Sequence, residues 1–245
     1  MDGIKFLKGI VKKMKLNRVL KTYDSVKISN IIISVADKNG LGNFVKGLLQ
    51  INPSIKIYST GGTFNAIKEF LGQGWRENLC SVSDYTGQPE MQGGLVKTLD
   101  FKIYLGLLSE PFNPAHRKDI KRVNGINFDM VVVNLYPFTL KVMEKDITQE
   151  DARAHIDIGG PCLLRAAAKN FLRVTSVSDP ADYEGILQEM KKNNGCIGFE
   201  TRFKCAVTSF THTAEYDTAI SKYLSEQDPE LIKKIYSLEV LSKYK

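Results

Sequence analysis

Four short apolar runs, each ending in a polar or glycine-bearing turn, constrain this chain more than any other feature. Ile31-Ile32-Ile33-Ser34-Val35 runs into Asp37-Lys38-Asn39-Gly40 and then a helical stretch over 41–49. Ile55-Lys56-Ile57-Tyr58 runs into Ser59-Thr60-Gly61-Gly62-Thr63 and a helix to about residue 71. Met130-Val131-Val132-Val133 ends at Asn134-Leu135-Tyr136-Pro137. Val174-Thr175-Ser176-Val177 precedes Asp179-Pro180, which opens a helix through about residue 192. A β-branched run such as Ile31–Val35 suits a strand buried on both faces. Strands alternating with helices predict the α/β class: a parallel sheet with helices on both faces, in three α/β/α layers. Further helices over 163–169 and 201–224 make the part from about residue 151 more helical. Ligands of such sheets bind beyond the carboxyl ends of the strands, where three of these polar turns fall.

The 245 residues are 43% hydrophobic and 25% charged, enough for a sizeable core. No apolar run approaches the roughly 20 residues of a membrane helix, and the first residues lack the apolar centre of a secretory signal. Cytoplasmic location, with no membrane partner, is the expectation. The net charge of +7 is uneven. Lys5, Lys8, Lys12, Lys13, Lys15, Arg18 and Lys21 concentrate it in a basic N-terminal extension over 1–27, where Leu7, Ile10, Val11 and Met14 recur at helical spacing. The remainder, 28–245, is close to neutral, which argues against a nucleic-acid partner. Its core is expected over about 28–150 and a helical subdomain over about 151–245. Cys80, Cys162, Cys196 and Cys205 form no paired motif and, with three histidines, no zinc pattern.

The turns carry the chemistry. Ser59–Thr63 reads either as a phosphate cradle, with glycine backbone and a helix N-terminus facing an anion, or as an ordinary capped turn. Asp37-Lys38-Asn39-Gly40 offers a point charge for phosphate or a second capped turn. Gly93-Gly94-Leu95-Val96-Lys97-Thr98-Leu99 delivers a lysine between apolar residues, either a desolvated proton carrier or a surface lysine. Asp157 sits in the apolar run Ile156-Asp157-Ile158-Gly159-Gly160-Pro161, followed by Arg165 and Lys169, four apart on one helix face. His116, His155 and His212 have no evident acid or nucleophile partner and read as structural or exposed.

Taken in order, the motifs ISVADKNG (33–40), YSTGGT (58–63), VSDYTGQPEMQGGLVKTL (82–99), VVVNLYPF (131–138), IDIGGPCLLRAAAKN (156–170) and FTHTAEYDTAI (210–220) resemble the IMP cyclohydrolase domain of the bifunctional purine-biosynthesis enzyme. The resemblance spans about 30–224. It implies a methylglyoxal-synthase-like fold and dehydrative closure of a formamidoimidazole-carboxamide ribonucleotide to inosine monophosphate (IMP). No metal or organic cofactor is implied. The family's catalytic residues match Lys97, Tyr136, Asp157 and Lys169: the first two for the formyl oxygen, the last two for the carboxamide. Lys38, Ser59, Thr60, Gly61, Gly62, Thr63 and Thr98 match the phosphate site, with Asn39 beside them. Asn134 and Gly159 match positions lining the nucleotide.

The resemblance further implies a homodimer, and a separate formyl-transferring enzyme, because the family's second domain has no counterpart in this sequence. Three positions depart from the family pattern. Leu95 replaces an arginine, Asp100 a histidine and Ala36 a serine. Three rival readings remain: a methylglyoxal-synthase-like phosphate lyase, a non-catalytic purine-nucleotide-binding regulatory protein, and nucleic-acid binding through the basic N-terminus over 1–27.

Overall fold

Ile31, Ile32 and Ile33 are all fully inaccessible to solvent, which requires cover on both faces of their strand. The computed structural model, which describes residues 18–89 and 97–238, supplies it. The strands are β1 (Ser25–Lys27), β2 (Asn30–Ile33), β3 (Lys56–Ser59), β4 (Leu79–Ser81), β5 (Met130–Val132), β6 (Thr175–Val177) and β7 (Cys196–Gly198). The α-helices are α1 (Leu41–Ile51), α2 (Gly61–Leu71), α3 (Trp75–Asn78), α4 (Val82–Thr86), α5 (Phe101–Leu108), α6 (Pro114–Arg122), α7 (Phe138–Val142), α8 (Gln149–Ala154), α9 (Gly159–Lys169), α10 (Tyr183–Lys192), α11 (Phe199–Ser225) and α12 (Pro229–Lys233).

Five strands pair in the order β4-β3-β2-β5-β6, every pair parallel. Alternation along β2 divides the core. Ile31 and Ile33 pack with Leu41, Phe44, Val45 and Leu48 of α1 and with Ile186 and Met190 of α10. Ile32 faces the other way, onto Ile103 and Leu107 of α5 and Leu163, Leu164 and Ala167 of α9. The α/β expectation with helices on both faces therefore holds. The chain steps outward from β2 to β3 and β4, then crosses to β5 and β6 on the other side. That reversal leaves a crevice beyond the carboxyl ends of β2 and β5, the usual ligand position in such sheets.

Two parts of the layout differ from the sequence reading. The boundary placed after residue 27 falls inside the fold, because Ser25, Val26 and Lys27 pair antiparallel with Gly198, Ile197 and Cys196. Arg202, fully buried on α11, holds this corner by donating to the carbonyls of Tyr23, Asp24, Phe171, Leu172 and Ile197. Thr22 adds a 2.6 Å bond to the Leu172 carbonyl, so residues 22–24 are part of the fold. The helical periodicity at Leu7, Ile10, Val11 and Met14 lies outside the described residues. Second, the line drawn near residue 150 does not divide the sheet, since β6 from the later part pairs with β5.

A second buried cation sits under the opposite corner. Arg173 donates to the carbonyls of Gly106, Leu107, Ser109 and Phe128 and approaches Asp129 Oδ1 at 3.5 Å. Asp129 Oδ2 accepts the N–H groups of Ser29 and Asn30, each at 3.0 Å, which pins the start of β2. Burial pushes the Asp129 carboxyl up, and the bonds from Asn30 and Ser29 and the charge of Arg173 oppose that shift. Among the described residues no helix is long and apolar enough to cross a membrane.

Candidate active site

Side chains lock three loops together at the carboxyl ends of β2, β3 and β5. Thr63, buried in the first turn of α2, accepts the Val35 N–H at 3.1 Å and donates to the Val35 carbonyl at 3.0 Å. Asn134, just past β5, accepts the N–H groups of Ala36 (2.6 Å) and Asp37 (2.9 Å) and donates to the Asp37 carbonyl (2.8 Å). The loop after β2 is thus held from both neighbours by hydrogen bonds, in addition to the packing of Val35 in the core. Position 36 acts here through its backbone N–H.

The glycine turn sets the shape of the cavity between these loops. Gly61 has φ of 51°, a left-handed conformation that favours glycine. Lys97 Nζ lies 2.9 Å from where a Cβ on Gly61 would be, and Lys38 Nζ lies 3.9 Å from that position on Gly62. Two ammonium groups therefore converge on the N-terminus of α2. The first N–H groups of an 11-residue helix such as α2 have no intrahelical acceptor, and its dipole favours negative charge there. Cations, free amides and a backbone without side chains make an anion site.

The N-terminus of α9 borders the same cavity. Asp157 Oδ1 accepts the Gly160 N–H at 3.0 Å, and the Asp157 N–H donates to Tyr216 Oη on α11 at 2.7 Å. Burial pushes the Tyr216 hydroxyl up, so it stays protonated as that acceptor. Gly160 has no room for a side chain, since a Cβ would lie 2.9 Å from Leu135 Cδ2 and closer still to Asp157 Oδ2. Thr98 Oγ1 lies 3.0 Å from the Cβ position of Gly159, bringing the Lys97 loop against this helix. Tyr136 stands 52% exposed over the opening, its ring edge-on to His155 at 6.1 Å between centroids.

The cavity encloses about 570 Å³. Of the expected catalytic residues, Lys97, Tyr136 and Asp157 line it. So do Lys38, Thr60, Gly61, Gly62 and Thr63, together with Thr98, Asn134 and Gly159. Three expected residues do not. Ser59 is buried and donates to the Ile33 carbonyl at 2.7 Å, tying β3 to β2. Asn39 is exposed and bonded to the Asp37 carboxylate, closing a local turn. Lys169 is exposed at the far end of α9, about 15 Å along the axis from the end that borders the cavity. Asp100 caps α5, accepting the Lys102 N–H at 2.7 Å, a helix-starting role that its carboxylate fills. Leu95 lies outside the described residues.

His155 lines the cavity as well. Its partners were not legible in sequence, because they are a backbone carbonyl and a tyrosine 19 positions away. Another hollow, of about 620 Å³, lies beside β7, but Asp24, Glu189 and Glu200 on its wall make it a poor anion site.

The chain matches two family models. The model described as "MGS-like domain" covers residues 40–162, half of the chain, and that described as "AICARFT/IMPCHase bienzyme" covers residues 167–244. Among solved structures, the one titled "Crystal structure of ForH" is 26% identical, with a TM-score of 0.66 over 79% of this chain and 97% of that one. The first model covers the loops after β3 and β5 and the start of α9, and the second begins inside α9. The chain belongs to the MGS-like domain family, as an IMP cyclohydrolase-like protein of that fold.

Proposed function

We propose that this cavity closes the second ring of a purine ribonucleotide, converting 5-formamidoimidazole-4-carboxamide ribonucleotide to IMP with loss of water. The observation that carries the reading is the meeting of Lys38 and Lys97 over the Gly61–Gly62 turn, with Tyr136 and Asp157 on the same cavity wall. The two family models support it from both halves of the chain. On this reading the protein is a cytoplasmic homodimer, supplied by a separate formyl-transferring enzyme.

The chemistry is intramolecular, so encounter entropy is not the obstacle. The carboxamide nitrogen attacks the formyl carbon, a C–N bond forms, and the C=O pair moves onto oxygen. That nitrogen gives up one proton and the formamide nitrogen another; both leave with the oxygen as water. An amide is a poor nucleophile and a formamide a weak electrophile, so the site supplies charge and protons. Phosphate binds at Lys38, Thr60, Gly61, Gly62, Thr63 and Thr98. Lys97, a short reach from that turn, stabilises the developing oxyanion, with Tyr136 donating to it. Asp157 accepts from the carboxamide through the oxygen that its bond to Gly160 leaves available.

A second reading, a nucleotide-binding protein without turnover, draws on the place of Lys169 outside the cavity. Following the ultraviolet change as the purine forms separates the two. Under the ring-closing reading, wild-type protein converts the formylated substrate and Lys97→Ala lowers kcat by at least about 100-fold. IMP binding without any conversion by wild type establishes the second reading instead.

A further inference from the structure

We propose that His155 is a catalytic residue of this site: its Nε2 takes the proton released by the carboxamide nitrogen and returns it to the departing hydroxyl. This rests on the ring-closing reading above. The resemblance to known cyclohydrolases put Asp157 and Lys169 at the carboxamide. In this molecule Lys169 is on solvent at the far end of α9, and one Asp157 oxygen is held by the Gly160 N–H. A carboxylate that starts a helix is a fixed acceptor. Among the described residues on this wall of the cavity, beside Asp157, His155 is a side chain that can both take and give a proton.

The local structure prepares His155 for it. Thr148 and Asp151 form a reciprocal cap at the start of α8: Asp151 N–H donates to Thr148 Oγ1 at 3.0 Å and Thr148 N–H to Asp151 Oδ2 at 3.3 Å. That cap fixes the Asp151 carbonyl one turn before His155. The carbonyl then receives both the His155 backbone N–H, at 3.1 Å, and its ring Nδ1, at 2.7 Å. A carbonyl only accepts, so Nδ1 carries a proton and the neutral ring has its lone pair on Nε2. Among the described residues nothing bonds to Nε2. The ring is half-buried in the cavity wall, two residues before Asp157 and edge-on to Tyr136. An imidazole anchored through Nδ1, with Nε2 available, is the arrangement a general base requires.

The step balances without any other reagent. As the C–N bond forms, the N–H electron pair stays on nitrogen and its proton moves to Nε2, giving an imidazolium. As the C–O bond breaks, the hydroxyl leaves with its bonding pair and takes the Nε2 proton to become water. Tyr136 first gives its proton to the oxyanion to make that hydroxyl, and the formamide nitrogen's proton, released as the C=N bond of the new ring forms, returns to Tyr136.

The test is steady-state turnover of the formylated ribonucleotide by wild type, His155→Gln and His155→Ala, with IMP affinity by calorimetry. Glutamine keeps a polar side chain of similar reach but does not take up and return a proton. The expected result is a fall in kcat of about 100-fold or more with KM and IMP affinity within about threefold. Added imidazole should restore part of the rate to His155→Ala, which a merely structural role would not allow. Wild-type kcat in His155→Gln overturns the proposal and leaves the ring-closing reading standing. Loss of IMP affinity in step with kcat, without rescue by imidazole, overturns it too. Wild-type protein that binds IMP but closes no ring overturns both.

Discussion

Arg173 and Arg202 lie inside the body of the molecule; Lys38 and Lys97 lie at the carboxyl ends of its strands. Each arginine is turned on the chain itself. Arg202 reaches five backbone carbonyls and Arg173 four, with Asp129 beside it. The planar fork of a guanidinium suits such sites, where several oxygens must be met at once. The lysines converge instead on a turn that offers N–H groups and no side chains. A cation beside helix N-terminal amides is electrostatically unfavourable unless an anion joins them. One pair of charges is set against carbonyls of the fold; the other stands at the N-terminus of a helix, where an anion is favoured.

Substitution should separate the two regions. Arg202→Met has the largest expected effect, because it leaves five carbonyls and the β1–β7 corner without their donor. We expect a loss of about 4 kcal/mol, or roughly 10 °C in thermal midpoint, with turnover per folded molecule unchanged. Lys97→Ala should do the reverse: the large loss of kcat stated above, with a thermal midpoint within about 2 °C of wild type. A drop in stability as large as that of Arg202→Met would remove the distinction. Lys38→Ala comes last. Its ammonium is exposed and farther from the turn, so IMP affinity should fall about tenfold, and addition of salt should narrow the gap between variant and wild type. An unchanged affinity would leave Lys97 as the principal cation of the phosphate site.

The four runs that announce the sheet were legible because aliphatic and β-branched residues dominate them, as in Ile31–Ile33, although β3 carries the exposed Lys56 and β6 the buried Thr175 and Ser176. β4 was not, since Leu79-Cys80-Ser81 is three residues long and half polar. β1 and β7 were hidden for the same reason, and their pairing spans about 170 positions. The cavity was largely legible, because glycine, threonine and lysine after a strand have a direct physical reading. Ser59 shows its limit. It stands in the same motif, but strand alternation turns it inward to the Ile33 carbonyl. Asn134 was legible as a site residue, while its three bonds to the loop after β2 were not. Arg202, Arg173 and His155 share one cause of invisibility: their partners are backbone carbonyls, which every residue carries and no sequence marks.

The measurement that bears most directly on the account is a crystal structure with IMP bound. The account predicts the phosphate at the N-terminus of α2, within hydrogen-bond reach of the 61–63 amides and of Lys38 and Lys97, with the base against Tyr136 and His155. A phosphate held elsewhere, or a base directed away from Tyr136, Asp157 and His155, would contradict it.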